Sequence, residues 1–188
     1  MTGHVQTAVS DAAVDEPRAA SPAAITPATG VVVGLLRILL GWTLFWAGID
    51  KVFGLGFSTA ADGAVTGGAS ATKGFLTYGL DTSAWIAPVL QPLAGNIVID
   101  ALYLLVTVGA GLCLMLGVAV RPAAAGGALF FVLLWLAAFP LEYNPVSDQH
   151  LFWALSCVLM IVIDAGAHLG LGKVWARTPL VERVPALR

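Results

Sequence analysis

Two sets of ionisable residues lie within apolar stretches or at their ends. The first is Arg37, within VVVGLLRILLGWTLFWAGIDKVF, and Asp164, near the end of LFWALSCVLMIVIDAGAHLGL, with His168 one helical turn beyond. The second is Asp50, Lys51, Asp100, Asp148 and His150. An unpaired charge in hydrocarbon costs about 2.5 to 3.5 kcal/mol on insertion scales. Opposite charges at one depth should therefore meet. That predicts an Arg37–Asp164 pair and, in the second set, Lys51 paired with Asp100 or Asp50. His150 is the member suited to proton transfer, because histidine changes charge near neutral pH. With Asp148 two residues away and Trp46 and Trp153 expected alongside, this set can form a redox or ligand pocket. The chemistry would be a proton moved as a quinone is reduced, with His150, Asp148 and Lys51 as catalytic candidates and Trp46 and Trp153 as the ligand's walls. The alternative is structural: Arg37, Asp164, His168 and Asp100 as ties between helices, or Arg37 snorkelling to headgroups. No shared metal ion is expected, since His150 and His168 would stand ~27 Å apart along one helix at ~1.5 Å per residue.

The elements that must position these groups are apolar helices. The chain is 59% hydrophobic and 11% charged, with a mean hydropathy of +0.89. Soluble domains carry about 25% charged residues, so composition alone assigns the membrane class. A formal net charge of -2 leaves no footprint for nucleic acid. About 20 apolar residues cross a ~30 Å hydrocarbon core. The runs long enough are residues 31–53, 97–120, 123–139 and 151–171, which predicts an all-α bundle of four transmembrane helices. In the first, Gly34, Arg37, Gly41, Leu44, Gly48 and Lys51 share one face. Small residues on one stripe let membrane helices approach closely, so this face should point inward. In the second, Asp100, Leu104, Thr107, Gly111 and Leu114 share a face. In the fourth, His150, Ala154, Cys157, Ile161, Asp164 and His168 do so.

Residues 54–96 form a long connection, Gly-rich in its first half and apolar but proline-broken in its second. The second half suits an interfacial or re-entrant element with Trp85 as its anchor. Residues 1–30, with prolines at 17, 22 and 27, are expected to be a disordered tail, and residues 173–188 a basic one. Cys113 and Cys157 should differ by ~15 Å in depth, too far for a disulfide. Arg18, Arg121, Lys173, Arg177, Arg183 and Arg188 fall at one side of a four-span topology and Lys51 and Lys73 at the other. The positive-inside rule then places both termini in the cytoplasm and residues 54–96 outside.

Three stretches carry a resemblance. RILLGWTLFWAGIDK in the first span resembles the opening signature of the DoxX/DoxD family of small four-helix membrane proteins. GGASATKGFL is similar to the sequence after the first helix in the DoxD-like branch. NPVSDQHLFWA and DAGAHLGLGKVW are similar to the start and end of that family's last helix. The resemblance covers roughly residues 36–175. It implies the membrane subunit of a redox system, such as a thiosulfate:quinone oxidoreductase, in a bacterial plasma membrane. It also implies quinone as the electron acceptor, and it puts Arg37, Lys51, Asp148 and His150 at recurrent polar positions. Expected partners are the lipid bilayer, another protein of a membrane redox complex and a second copy of the chain. Against thiosulfate chemistry by this chain alone, the outer side offers few cations. Without a CxxC, direct dithiol exchange is disfavoured as well. A non-enzymatic scaffold for soluble redox proteins remains the competing expectation.

Overall fold

Helix α1 runs from Pro27 to Phe53 in the computed structural model, which describes residues 26–188. Most of the expected N-terminal tail lies outside the described residues. The helix begins four residues before the predicted span because residue types there suit a helix start. Thr26 Oγ1 accepts the Thr29 N–H at 3.2 Å, and Pro27 occupies the first position, where no amide donor is needed. It stops at Gly54, whose left-handed φ of 62° turns the chain back so that its N–H reaches Asp50 O at 2.8 Å.

Helix α2 spans Ile97–Leu116 and is capped by the Asn96 side chain. Leu105–Ala110 within it is wound as a π-helix. Gly117, at φ 77°, ends it four residues short of the predicted boundary. Helix α3, Val120–Ala137, starts almost at once, so Arg121 lies in its first turn rather than in a connecting turn. Helix α4 is Gln149–Val162, capped by Asp148. It does not continue to residue 171, because Asp164 takes a left-handed φ of 50° and leads into a short 3-10 turn at Ala165–Ala167. His150, Asp164 and His168 therefore do not share a helical stripe.

No strand occurs among the described residues. Helices α1, α2 and α3 are long and apolar enough to cross a membrane, while α4 is a shorter apolar helix. Leu39, Leu102, Leu105, Leu129, Phe152 and Leu155 are exposed on the helix exteriors, the arrangement expected where the surroundings are lipid. The interior holds Leu44, Leu114, Ala124, Phe131, Ala154, Cys157 and Met160. Both cysteines are free. Helices α1 and α2 meet backbone to backbone: a Cβ on Gly111 would stand 2.6 Å from Phe45 N and 2.9 Å from Gly41 O.

Residues 54–96 form a cap of short turns over one end of the bundle. Its proline-broken half carries the short helix Ala87–Leu90 and contributes Leu80, Ala84, Ile86 and Ala87 to a small core shared with Ala137. Trp85, the expected anchor, is 64% exposed. At the other end, the base, the C-terminal segment folds back. Trp175 Nε1 donates to Leu187 O at 2.6 Å, and the Arg121 N–H donates to Arg188 O at 2.7 Å.

Candidate functional site

Three polar centres are built into this frame. The first surrounds Arg37, which the α1 stripe turns fully inward, at 0% exposure. Its guanidinium does not meet Asp164. Instead Nη1 donates to Leu114 O and, at 3.0 Å, to Met115 O, while Nη2 donates to His168 O and Leu169 O at 2.9 Å each. Leu114 and Met115 are in the last turn of α2, where carbonyls have no intrahelical donor and carry the negative end of the helix dipole. The neighbouring Cys113 O is satisfied by the Gly117 and Val118 N–H groups and Leu116 O by Leu171 N–H. Arg37 thus completes the C-terminal capping of α2 from another helix. Gly117 and Gly170 make the socket: a Cβ on either would stand 3.2 or 2.8 Å from the guanidinium. Arg37 Nε is left without a partner among the described residues.

Asp164, expected opposite Arg37, lies 3.9 Å from the Arg121 guanidinium, with both side chains nearly half exposed. Such a pair contributes about 0 to 1 kcal/mol. His168 serves Arg37 through its carbonyl, and its ring stands over Gly30.

At the cap end, Asp50 and Asp100 are both buried, and neither pairs with Lys51, which forms no ion pair among the described residues. Each carboxylate instead gathers the cap. Asp50 accepts from Phe57 N–H at 3.3 Å and from Ser58 N–H and Oγ–H at 2.9 and 2.7 Å. Asp100 accepts from Ser70 Oγ–H, Thr72 N–H and Thr72 Oγ–H at 2.9, 2.9 and 2.6 Å. Ser58, Ser70 and Thr72 were not singled out in the sequence, although small hydroxyl residues in a Gly-rich loop are what a buried carboxylate would recruit. Replacing Asp100 by Ala removes a charged acceptor from three donors, and hydrogen bonds to charge contribute ~1.5 to 3 kcal/mol each. Hydrogen exchange at the Thr72 amide should accelerate at least tenfold while the helices keep their protection. Unchanged exchange there would mean that Asp100 does not hold the cap.

The third centre is Asp148 with His150. Asp148 Oδ1 caps α4 by accepting the His150 and Leu151 N–H groups at 2.9 and 3.2 Å, and Oδ2 lies 2.6 Å from His150 Nδ1. Both side chains are 20% exposed. Trp153, one turn on, meets the His150 ring edge to face with centroids 5.4 Å apart, and packs on Phe131 at 5.2 Å. Asp148 also lines a cleft of about 470 Å³ with Glu142, Asn144 and Ser147, within the size range of small-molecule sites. Trp46 belongs to another cluster, stacked on Trp42 at 5.4 Å and edge-on to Phe57 at 5.0 Å. Of the expected pocket, then, Asp148, His150 and Trp153 come together. No hydrogen bond or ion pair links Lys51, Asp50 or Asp100 to them.

Among the described residues, Asp148 and His150 form a close carboxylate–imidazole contact. A carboxylate on Nδ1 fixes the ring and leaves Nε2 for a ligand. No group of three or more His, Cys, Asp or Glu side chains arranged for a metal occurs among the described residues. No family model, curated protein or solved structure matches the chain.

Proposed function

We propose that this chain is a multi-pass membrane subunit of a redox system, in the sense of its DoxX/DoxD resemblance, and that Asp148 and His150 deliver protons to a quinone. In this reading α4 is a fourth, thinner crossing, both termini are cytoplasmic and the cap faces outward in a bacterial plasma membrane. The supporting observation is the 2.6 Å contact between His150 Nδ1 and Asp148 Oδ2, beside Trp153 and the cleft. Reduction of a quinone to a quinol consumes two electrons and two protons. The electrons come from a partner redox protein. His150, its ring oriented through Nδ1 by the Asp148 carboxylate, passes a proton from Nε2 to a quinone oxygen and takes one back from water.

A competing reading, that of a non-catalytic scaffold for soluble redox enzymes, is favoured by a different observation. The Arg37 Nη atoms and the Asp50 and Asp100 carboxylates are engaged in holding helices and cap. Quinone binding separates the two. In lipid nanodiscs, a short-chain quinone should quench the tryptophan fluorescence of the wild type saturably, and His150→Gln should weaken that binding at least tenfold while leaving the melting midpoint unchanged. Quenching that rises linearly and equally in both proteins would remove the redox reading and leave the scaffold.

A further inference from the structure

Leu171 to Arg188 lies across the base of the bundle, tied to it at its two ends and closed on itself between them. Leu171 N–H donates to Leu116 O at 2.9 Å, Trp175 Nε1 to Leu187 O at 2.6 Å, and Arg121 N–H to Arg188 O at 2.7 Å. The segment buries Val181 against the protein. Leu171, Val174, Leu180 and Val184 are left exposed, Val174 by 69%. Interleaved with them, and exposed as well, are Lys173, Arg177, Arg183 and Arg188, against a single acid, Glu182.

An ordered segment that leaves aliphatic and cationic side chains exposed together has the composition of an element lying in the membrane–water interface. Its position agrees, because Leu171 is bonded to the last carbonyl of α2, a helix long and apolar enough to cross a membrane. Charge complementarity identifies the occupant as the phosphodiester headgroup of an anionic phospholipid. We propose that Leu171–Arg188 is an anionic-phospholipid-binding surface. Lys173, Arg177 and Arg183 hold headgroup phosphates, and Val174 and Leu180 enter the acyl boundary. This surface is independent of the Asp148–His150 pair and of any electron transfer.

The test uses the full chain in mild detergent, titrated with phosphatidylglycerol or phosphatidylcholine while thermal unfolding is followed. Phosphatidylglycerol should raise the melting midpoint and phosphatidylcholine should not. Each basic residue near a charged surface changes partitioning about fivefold. The lipid concentration giving half the shift should therefore rise roughly a hundredfold in the Lys173→Gln, Arg177→Gln, Arg183→Gln triple variant. Glu182→Gln should lower it about fivefold, a gain that misfolding cannot mimic. Equal responses to the two lipids, an unchanged half-point in the triple variant, or a shift reproduced by soluble glycerophosphate would each overturn the proposal. So would a shift produced by an acidic polypeptide and not by phosphatidylglycerol, which would give the surface to a protein partner.

Discussion

Arg37→Met should destabilise the folded bundle by about 3 kcal/mol in reversible denaturant unfolding, a net of opposing terms. Met115 O, His168 O and Leu169 O have Arg37 as their hydrogen-bond donor, and a buried carbonyl left without one costs about 1 to 3 kcal/mol. Leu114 O suffers less, because the Gly117 N–H also approaches it at 3.3 Å. Against that loss, the substitution removes a buried charge whose insertion costs about 2.5 to 3.5 kcal/mol. Arg37→Lys should fall between wild type and Arg37→Met. It keeps the charge, but a compact ammonium cannot reproduce a planar fork reaching carbonyls on two segments. The loss should be localised too, with the amides of Gly117, Val118 and Leu171 at the base exchanging faster and those of the cap unaffected. Wild-type stability in Arg37→Met would show that water or a lipid headgroup replaces the guanidinium at no cost.

The second large effect is expected at the α1–α2 crossing. Gly111→Ala places a methyl group 2.6 Å from Phe45 N and 2.9 Å from Phe45 Cα, and these are backbone atoms that cannot rotate aside. The reciprocal change, Gly41→Ala, meets Gly111 O and Met115 N at 2.8 Å. Overpacking of this kind costs about 1 to 3 kcal/mol and exceeds the ~1 kcal/mol gained from the better helix propensity of alanine. Gly126→Ala is the control. It lies in α3 with its nearest neighbour, Val106 Cγ2, at 3.8 Å, so the same propensity gain appears there without a clash. Opposite signs at Gly111 and Gly126 are the predicted result. Stabilisation at both positions would mean that the helices separate at no cost.

These two sites also mark what the sequence made legible. The inward face of α1 was readable from glycine spacing: Gly34, Arg37, Gly41, Leu44 and Gly48 are buried, and only Lys51, at the helix end, is half-buried. So was the inward face of α2, where Asp100, Thr107, Gly111 and Leu114 are buried. Such stripes survive because a periodic pattern of small and polar residues has one way to avoid lipid. The partner of Arg37 was not legible. Charge accounting along a sequence sees only carboxylates, whereas the acceptors here are carbonyls that every residue carries. They become available only where Gly117 ends one helix and Asp164 diverts the chain after another. The same holds for Asp50 and Asp100, whose partners are not Lys51 but amides and hydroxyls of the cap. The end of α4 was missed because IVIDAGAHLGL keeps an apolar, helix-like pattern through the point where Asp164 breaks it. Asp148, His150 and Trp153 were legible together, since they fall at the cap and in the first turns of one helix.

The buried guanidinium is held by backbone carbonyls and not by a carboxylate. A double-mutant cycle between Arg37→Met and Asp164→Asn, read as unfolding free energy in the same detergent, tests this directly. The predicted result is a small loss for Asp164→Asn alone and additivity in the double variant, with a coupling below about 0.5 kcal/mol. A coupling of about 1 kcal/mol or more would place Asp164 against Arg37 and contradict the carbonyl socket.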